Sequence, residues 1–319
     1  MRREPRITYR DLSEQLGTST PNVHRRIDRL RTTGTLGPIR AKLRPETVGG
    51  TCALIHGQAV GKLDAKAWQA LAAQGSISRA IIGCRDRVYL STCLKEPSRI
   101  DEVMRYLADR FPIAGPEVLV VQERSSPWRD DWTYSGDEAG PRMEYIRAAD
   151  LRIIRSMWDD GRKQICDIAA DTGLSKPTVR RRLANLLDRK VIEFDMGIEH
   201  GQGADVNFGL IVRFQSPDDR DGFLRGLSNE PYCCREEVML FSNAPDTVWM
   251  NLTVDTINDG YARIDEIRER KGVVSVMSDV ILKAFTFETW VDRLVGTEGG
   301  DVVLDDRAAG GTLRSWAHS

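Results

Sequence analysis

Two stretches of the chain carry residue types suited to reading nucleic acid. In Ser19-Thr20-Pro21-Asn22-Val23-His24-Arg25-Arg26, continued by Arg29, and in Ser175-Lys176-Pro177-Thr178-Val179-Arg180-Arg181-Arg182, hydroxyl, amide and guanidinium groups recur at helical spacing just after a glycine, Gly17 or Gly173. An asparagine can bond adenine at two points and an arginine can bond guanine at two points, while further arginines grip phosphates. The residues expected to meet DNA are therefore Ser19, Thr20, Asn22, His24, Arg25, Arg26 and Arg29 in the first stretch. In the second they are Ser175, Lys176, Thr178, Arg180, Arg181 and Arg182. Thr20, Asn22, His24 and Arg25 stand where the second stretch has Lys176, Thr178, Arg180 and Arg181, so two different half-sites and an asymmetric operator are expected. No nucleophile-base pair, metal spacing or phosphate-cradling glycine loop accompanies them, and neither a cofactor nor a metal is expected. The four histidines, His24, His56, His200 and His318, are scattered and read as structural or solvated.

The two stretches belong to one repeat. Residues 6–31 and 162–187 match at a constant offset of 156, about half the chain, which points to a duplication of the whole protein. In the second copy, Asp150 is expected to cap a helix with Leu151, Ile153, Ile154 and Met157 on one face, ending near Gly161. Ile165, Ile168 and Ala169 begin the next helix, Gly173 makes the turn, and Ser175 caps a third helix reaching about Arg189. Pro177 fits the first turn, where its missing N–H is not needed. Val179, Leu183, Leu186 and Leu187 form the buried stripe. The first copy repeats this with Leu12, Leu16, Ser19, Val23, Ile27 and Leu30, but only seven residues precede Thr8, so no counterpart of the opening helix is expected. A short apolar segment, 36–43 or 191–198, follows each copy as a wing.

Charge is segregated. Residues 1–45 hold 11 basic and 4 acidic side chains, a net +7, and residues 143–195 hold 11 and 9, a net +2, whereas the rest of the chain carries a net −10. Only the two basic modules are then expected to touch a polyanion. The longest apolar runs are too short to span a bilayer, and a cytoplasmic protein without membrane contact is expected. Six cysteines without a C-x-x-C spacing are expected to be reduced, the neighbours Cys233 and Cys234 included.

After each module the apolar period changes. Strands are expected at 51–57, 77–83, 87–93 and 118–121 with helices at 61–74 and 97–110. The second series has strands at 206–214, 236–241, 248–254 and 273–285 with helices at 218–227 and 257–270. The order is β-α-β-β-α-β twice. Residues 123–142 read as a linker whose Trp128 and Trp132 should dock, and Gly296 to Ser319 as a mobile tail.

Asp150-Leu-Arg-Ile-Ile, Asp160-Gly161-Arg162, Ile168-Ala169, Gly173-Leu-Ser-Lys-Pro-Thr-Val, Lys271-Gly-Val-Val and Ser278-Asp-Val-Ile-Leu-Lys resemble the Lrp/AsnC (feast/famine) family of transcription regulators. In the first half Gly34 to Ile39 and Gly83 to Asp86 agree with it. The resemblance implies an α+β fold of two winged helix-turn-helix modules alternating with two ferredoxin-like βαββαβ domains, folded as an internal pseudo-dimer. The boundaries are 1–45 (helix-turn-helix), 48–122 (α/β sensor and dimerisation domain), 123–142 (linker), 143–198 (helix-turn-helix), 204–286 (α/β) and 287–319 (tail). It implies a sequence-specific regulator on double-stranded DNA, self-association through the α/β domains, and a small-molecule, amino-acid-like effector at Gly83, Asp86 and Asp246, on the turns between the second and third strands. Such turns use Gly and Asp for conformational reasons as well. Siroheme decarboxylases share this build in fused form, but they need histidine and arginine around a tetrapyrrole, and the hairpins 77–93 and 232–254 hold no histidine. The chain is therefore expected not to be an enzyme. A nucleoid-organising protein without sequence preference is the third reading.

Overall fold

The computed structural model describes residues 6–33, 36–125, 146–198, 206–227 and 238–296. From the N-terminal side come α1 (Tyr9–Gln15), α2 (Thr20–Thr32), β1 (Leu36–Leu43), β2 (Thr51–Ala59), α3 (Ala65–Gln74), β3 (Ile77–Gly83), β4 (Arg87–Leu94), α4 (Ile100–Arg110) and β5 (Ile113–Ser125). Then follow α5 (Ala148–Ser156), α6 (Ile165–Thr172), α7 (Lys176–Asp188), β6 (Ile192–Ile198) and β7 (Val206–Phe214). The last are α8 (Pro217–Leu227), β8 (Val238–Phe241), β9 (Thr247–Val254), α9 (Ile257–Arg268), β10 (Val273–Thr286) and α10 (Trp290–Gly296). The fold is α+β, with winged helix-turn-helix elements and a large antiparallel sheet.

Two compact units divide these elements, and each draws on both halves of the chain. One takes the described residues within Met1–Gly49, Pro141–Gln202 and Trp290–Ala308; the other takes those within Gly50–Gly140 and Gly203–Thr289.

In the first unit, the helix-turn-helix geometry follows from capping and glycine. Ser19 and Ser175 each cap a helix by accepting from a backbone N–H three residues on, with Pro21 and Pro177 in the first turn. Gly17 and Gly173 adopt φ of +58° and +67°, the left-handed turn that a side chain would strain. Val23 and Ile27 of α2, like Val179 and Leu183 of α7, are buried. β1 and β6 pair antiparallel along Leu36↔Ile198 to Leu43↔Ile192. Arginines of the two copies also cross: Arg6 donates to the carbonyls of Gly161 (2.5 Å) and Lys163 (2.7 Å), and Arg162 donates to the carbonyl of Ile7. Gly161 is forced by proximity, since a Cβ there would lie 2.8 Å from the Phe194 ring.

Asp150 does not cap α5. The helix begins at Ala148 after Arg147, and Asp150, three residues on, accepts from the Arg147 N–H at 3.1 Å. α5 ends at Ser156 rather than near Gly161, and the stretch read as a tail opens with α10, which packs on α5 and β1.

The second unit is one closed sheet in the order β10-β3-β4-β2-β5-β8-β9-β7. α3 and α4 cover the first four-stranded part, where Leu71, Val103 and Leu107 join Ile55, Ile77 and Leu90 in a core. α8 and α9 cover the other, with Leu224, Ile264 and Ile267 against Phe208, Leu210 and Met250. A third cluster, Leu54, Ile81, Tyr89, Leu119, Ile211, Met239, Phe241, Trp249 and Ile281, fills the inside. β5 spans Ile113–Ser125, beyond the expected 118–121 at both ends: Ile113 to Glu117 pair with β2, and Val121 to Ser125 pair with β8 through Val121↔Phe241 to Ser125↔Val238. The other closure joins β10 to β3 from Ile281↔Gly83 to Thr286↔Arg79. The remaining linker residues, Trp128 and Trp132 among them, with Gly34, His200, Cys233, Cys234, Glu236 and 297–319, lie outside the described residues. The described cysteines, Cys52, Cys84, Cys93 and Cys166, are free, and no described helix is long and apolar enough to cross a membrane.

Candidate nucleic-acid interface

The outward faces of α2 and α7 carry most of the sequence-derived residues. His24, Arg25, Arg26 and Arg29 are exposed, as are Lys176, Arg180 and Arg181; Asn22 and Thr178 are half-buried. Thr20, Pro21, His24, Arg25 and Asp28 border an open depression of about 640 Å³ on α2. His24 is fixed there by the edge of the Tyr9 ring, 4.2 Å between centroids, and the Arg162 guanidinium lies over the same tyrosine at 4.7 Å.

Several of these side chains already have partners. Asn22 Oδ1 accepts from Arg25 at 2.6 Å, so the expected adenine and guanine readers form a pair that must open or act as one. Ser19 accepts from the Asn22 N–H, and Ser175 accepts from the Thr178 N–H while its hydroxyl lies 2.8 Å from that of Thr178. The serines position the helix starts, where free backbone N–H groups favour a phosphate. Arg182 departs from the expected role: its guanidinium donates to Asp150 Oδ1 at 2.9 Å, with Asp150 buried, and this ties α7 to α5. Arg26 holds the matching position of the first copy without a described ion pair, because no helix corresponding to α5 precedes α1 among the described residues.

The effector positions sit on separate hairpins. Gly83 ends β3 where a Cβ would lie 2.9 Å from that of Asp279, so close packing accounts for it. Asp86 is exposed in the left-handed turn, as is Arg85, both at φ 57°. Asp246 is half-buried in the β8–β9 turn, where its carbonyl accepts from Phe214 and its carboxylate from the Thr247 hydroxyl. The β8–β9 turn also places Asn243 against β5, accepting from Val120 N–H and donating to the Val118 carbonyl, each at 2.8 Å.

A polar group inside the closed sheet went unread in the sequence. His56 is 4% exposed and neither ring nitrogen has an aligned hydrogen bond, although Nε2 lies 3.3 Å from Glu117 Oε2. Arg213 holds Glu117 by two contacts of 2.6 and 2.7 Å. Beside them, Asp279 accepts from Tyr89 Oη at 2.5 Å and lies 3.0 Å from Arg87 Nε. Burial pushes the Asp279 carboxyl up against the opposing pull of Tyr89 and Arg87, and burial, the hydrogen bond to Asp279 and the charge of that carboxylate push Tyr89 up as well. Burial depresses His56, Glu117 partly offsets this, and Arg87 and Arg213 add to it. The expected absence of histidine held for the hairpins, but His56 lies on the adjoining β2, paired in register with Tyr89.

Both helix-turn-helix segments match the winged helix-turn-helix DNA-binding family, over residues 1–35 and 146–193. No curated protein matches the sequence. Among solved structures, the siroheme decarboxylase NirDL is similar in fold at TM-score 0.55 and 13% identity, covering 88% of this chain and 86% of that one. A second structure of NirDL, in complex with an iron-uroporphyrin III analogue, overlays at 0.52 and 13%, with 88% and 87% covered. A Neisseria meningitidis transcriptional regulator in complex with L-Met overlays on 44% of this chain and 91% of its own, at 0.35 and 17% identity. The expectation that the chain is not an enzyme is overturned, since the solved structure matching nearly its full length is an enzyme.

Two outcomes follow. Replacing Asp150 by Ala removes the acceptor of both Arg182 and the Arg147 N–H, and should cost about 1–3 kcal/mol, whereas Arg26→Ala should stay within about 0.5 kcal/mol of the parent; urea unfolding measures both. Because the folded pKa of His56 lies below the ordinary 6.5, the unfolded chain takes up the proton first, and stability falls as pH drops through that value. His56→Gln should flatten the fall between about pH 7 and 5; an unchanged pH profile of the urea midpoint would refute this.

Proposed function

We propose that this chain is a sequence-specific DNA-binding regulator of the Lrp/AsnC type, in which two unequal helix-turn-helix modules of one fused polypeptide read the two halves of an asymmetric operator. The supporting observation is the pairing of the two copies in one compact unit: β1 runs antiparallel to β6, and Arg6 and Arg162 cross between the copies. Two reading helices linked in this way act as an internal pseudo-dimer, suited to half-sites about one helical turn, roughly 34 Å, apart or a multiple of it. The corresponding sheet unit is read as two ferredoxin-like domains joined at both edges, since each part has the same strand order, β5-β2-β4-β3 and β10-β7-β9-β8.

In this reading Asn22 with Arg25 reads bases from α2, Arg180 and Arg181 read them from α7, and Arg29 and Lys176 grip phosphates. Arg182 and Arg26 face the opening-helix side and are left out. An amino-acid-like effector at the hairpin tips and self-association through the α/β part complete the regulator reading. Selection of bound duplexes from a random pool by the full chain should return one asymmetric motif. Alanine at Arg29 or Lys176 should weaken all sequences alike and lower the salt slope by about one, while Arg180→Ala should relax preference at one base position. No enrichment would overturn the reading.

The full-length overlay on NirDL favours a second reading, catalysis on a tetrapyrrole, for which the buried His56 and the more exposed Arg87 and Arg213 are the basic groups. Added siroheme should then change its absorbance with release of carbon dioxide, and this response should be lost in His56→Gln; an unaltered spectrum removes it.

A further inference from the structure

Two cysteines face each other across neighbouring strands of the closed sheet. β2 and β4 pair antiparallel with Cys52 opposite Cys93, Leu54 opposite Ser91 and His56 opposite Tyr89. Alternation along each strand puts Cys52 and Cys93 on the face of Leu54 and Tyr89, which belong to the inner cluster. The Cys93 N–H donates at 2.6 Å to the carbonyl of Ser76, beside the start of β3. The N–H and C=O of one residue in an antiparallel strand point to the same side, so those of Cys93 point away from β2. Cys52 and Cys93 are therefore a non-hydrogen-bonded pair, the kind whose Cα atoms stand about 4.5 Å apart with side chains close. A disulfide spans roughly 4.4–6.8 Å between Cα atoms, so the backbone already has the separation that such a bond needs. Both residues are thiols, 8% and 7% exposed.

The other half of the sheet shows what side chains at this position do. β7 repeats the order of buried and exposed positions of β2. Counting from the His56–Tyr89 and Ile211–Trp249 pairs, the counterparts of Cys52 and Cys93 are Asn207 and Thr253, which also stand opposite each other. There the Thr253 hydroxyl donates to Asn207 Oδ1 at 2.6 Å and ties the two strands together. In the first half two thiols replace that hydrogen-bonding pair, and a thiol is a weak donor and a weak acceptor.

We propose that Cys52 and Cys93 form a reversible oxidation site, at which hydrogen peroxide converts the two thiols to a disulfide between β2 and β4. The sulfur of one cysteine attacks a peroxide oxygen and the O–O bond breaks. A sulfenic acid forms, and the departing hydroxide takes the thiol proton and leaves as water. The second sulfur then attacks the sulfenic sulfur, the S–O bond breaks, and hydroxide leaves with the second thiol proton as another water. The two thiols lose two electrons in all, and the peroxide is reduced to two waters. Because the second thiol stands on the facing residue, the S–S bond forms ahead of further oxidation. A small dithiol reverses the reaction by exchange. The bond closes residues 52–93 into one covalent loop that holds β2, α3, β3 and β4, and it favours the folded chain by constraining the unfolded one. The site is independent of the DNA and tetrapyrrole readings.

The test treats the folded full chain with hydrogen peroxide, blocks the remaining thiols by alkylation and maps the peptides by mass spectrometry. A peptide joined through Cys52 and Cys93, lighter by two hydrogens than its parts and separated by dithiothreitol, is expected. The oxidised chain should show a higher urea midpoint than the reduced chain, and this shift should be lost in Cys52→Ser and in Cys93→Ser. Mapping of the parent chain decides the matter even where a variant folds poorly. Alkylation of both residues after peroxide, their conversion to sulfinic acid, or linkage of either to another cysteine such as Cys84 overturns the proposal. A link that forms only when the chain is unfolded in urea before oxidation overturns it too, as does a midpoint shift that persists in both variants.

Discussion

The open edges of the strands are the constraint on which the rest of this structure depends. An edge strand presents a row of unpaired N–H and C=O groups, which a folded chain must pair, cover or repel. In the sheet unit β5 and β3 border one four-stranded part and β8 and β10 border the other, and each edge is completed by the other half, β5 by β8 and β3 by β10. In the helix-turn-helix unit the wings meet the same requirement, β1 on β6. Within this chain each half completes the open edges of the other, by hydrogen bonding as well as by apolar packing.

Closure explains why the sheet holds polar groups in its interior. Joined at both edges, the strands have one face under helices and the other facing inward, so β2 is buried along most of its length on both sides. Inward positions are apolar over much of the interior, from Leu54 to Trp249 and Ile281. His56, Tyr89 and Asp279 make the exception: Asp279 is paired with Tyr89 and Arg87, while Glu117 and Arg213, which meet each other beside His56, reach solvent. His56 is the least satisfied member. Its neutral form suits that position, since protonation would add a charge beside Arg87 and Arg213 with only Glu117 to oppose it.

Much of this was legible in the sequence, and the losses have physical causes. Capping serines, turn glycines and the 156-residue offset located α2 and α7 within a residue, because local chemistry alone dictates those features. β3 and β7 were read at their observed bounds. β5 was read short, since its two ends gain regularity only from partners distant in sequence, β2 for Ile113 to Glu117 and β8 for Val121 to Ser125. The Asp150 misreading has the same origin: an acid at the start of an apolar stripe signals a helix start, but whether it caps or sits one turn in depends on Arg182. His56 was read as structural or solvated because histidine was sought on hairpins; β4 and β5, which flank β2, set Tyr89 and Glu117 beside it, and Arg213 comes from β7 of the other half.

Carrying both copies on one chain has a consequence that an assembly of identical subunits cannot share. In a symmetric dimer every substitution appears twice, and a change useful on one side must be tolerated on the other. Here the histidine of β2 faces Tyr89 across the register, while the corresponding register of β7 and β9 sets Ile211 against Trp249. Two polar groups on one side thus answer two apolar ones on the other, which lets the interior hold a single histidine without doubling its desolvation cost. The same freedom acts in the helix-turn-helix unit, where Arg182 is committed to Asp150 and Arg26 is left exposed. The closed sheet and paired wings supply the symmetry that folding needs, and the fused chain allows the surfaces that meet partners to depart from it.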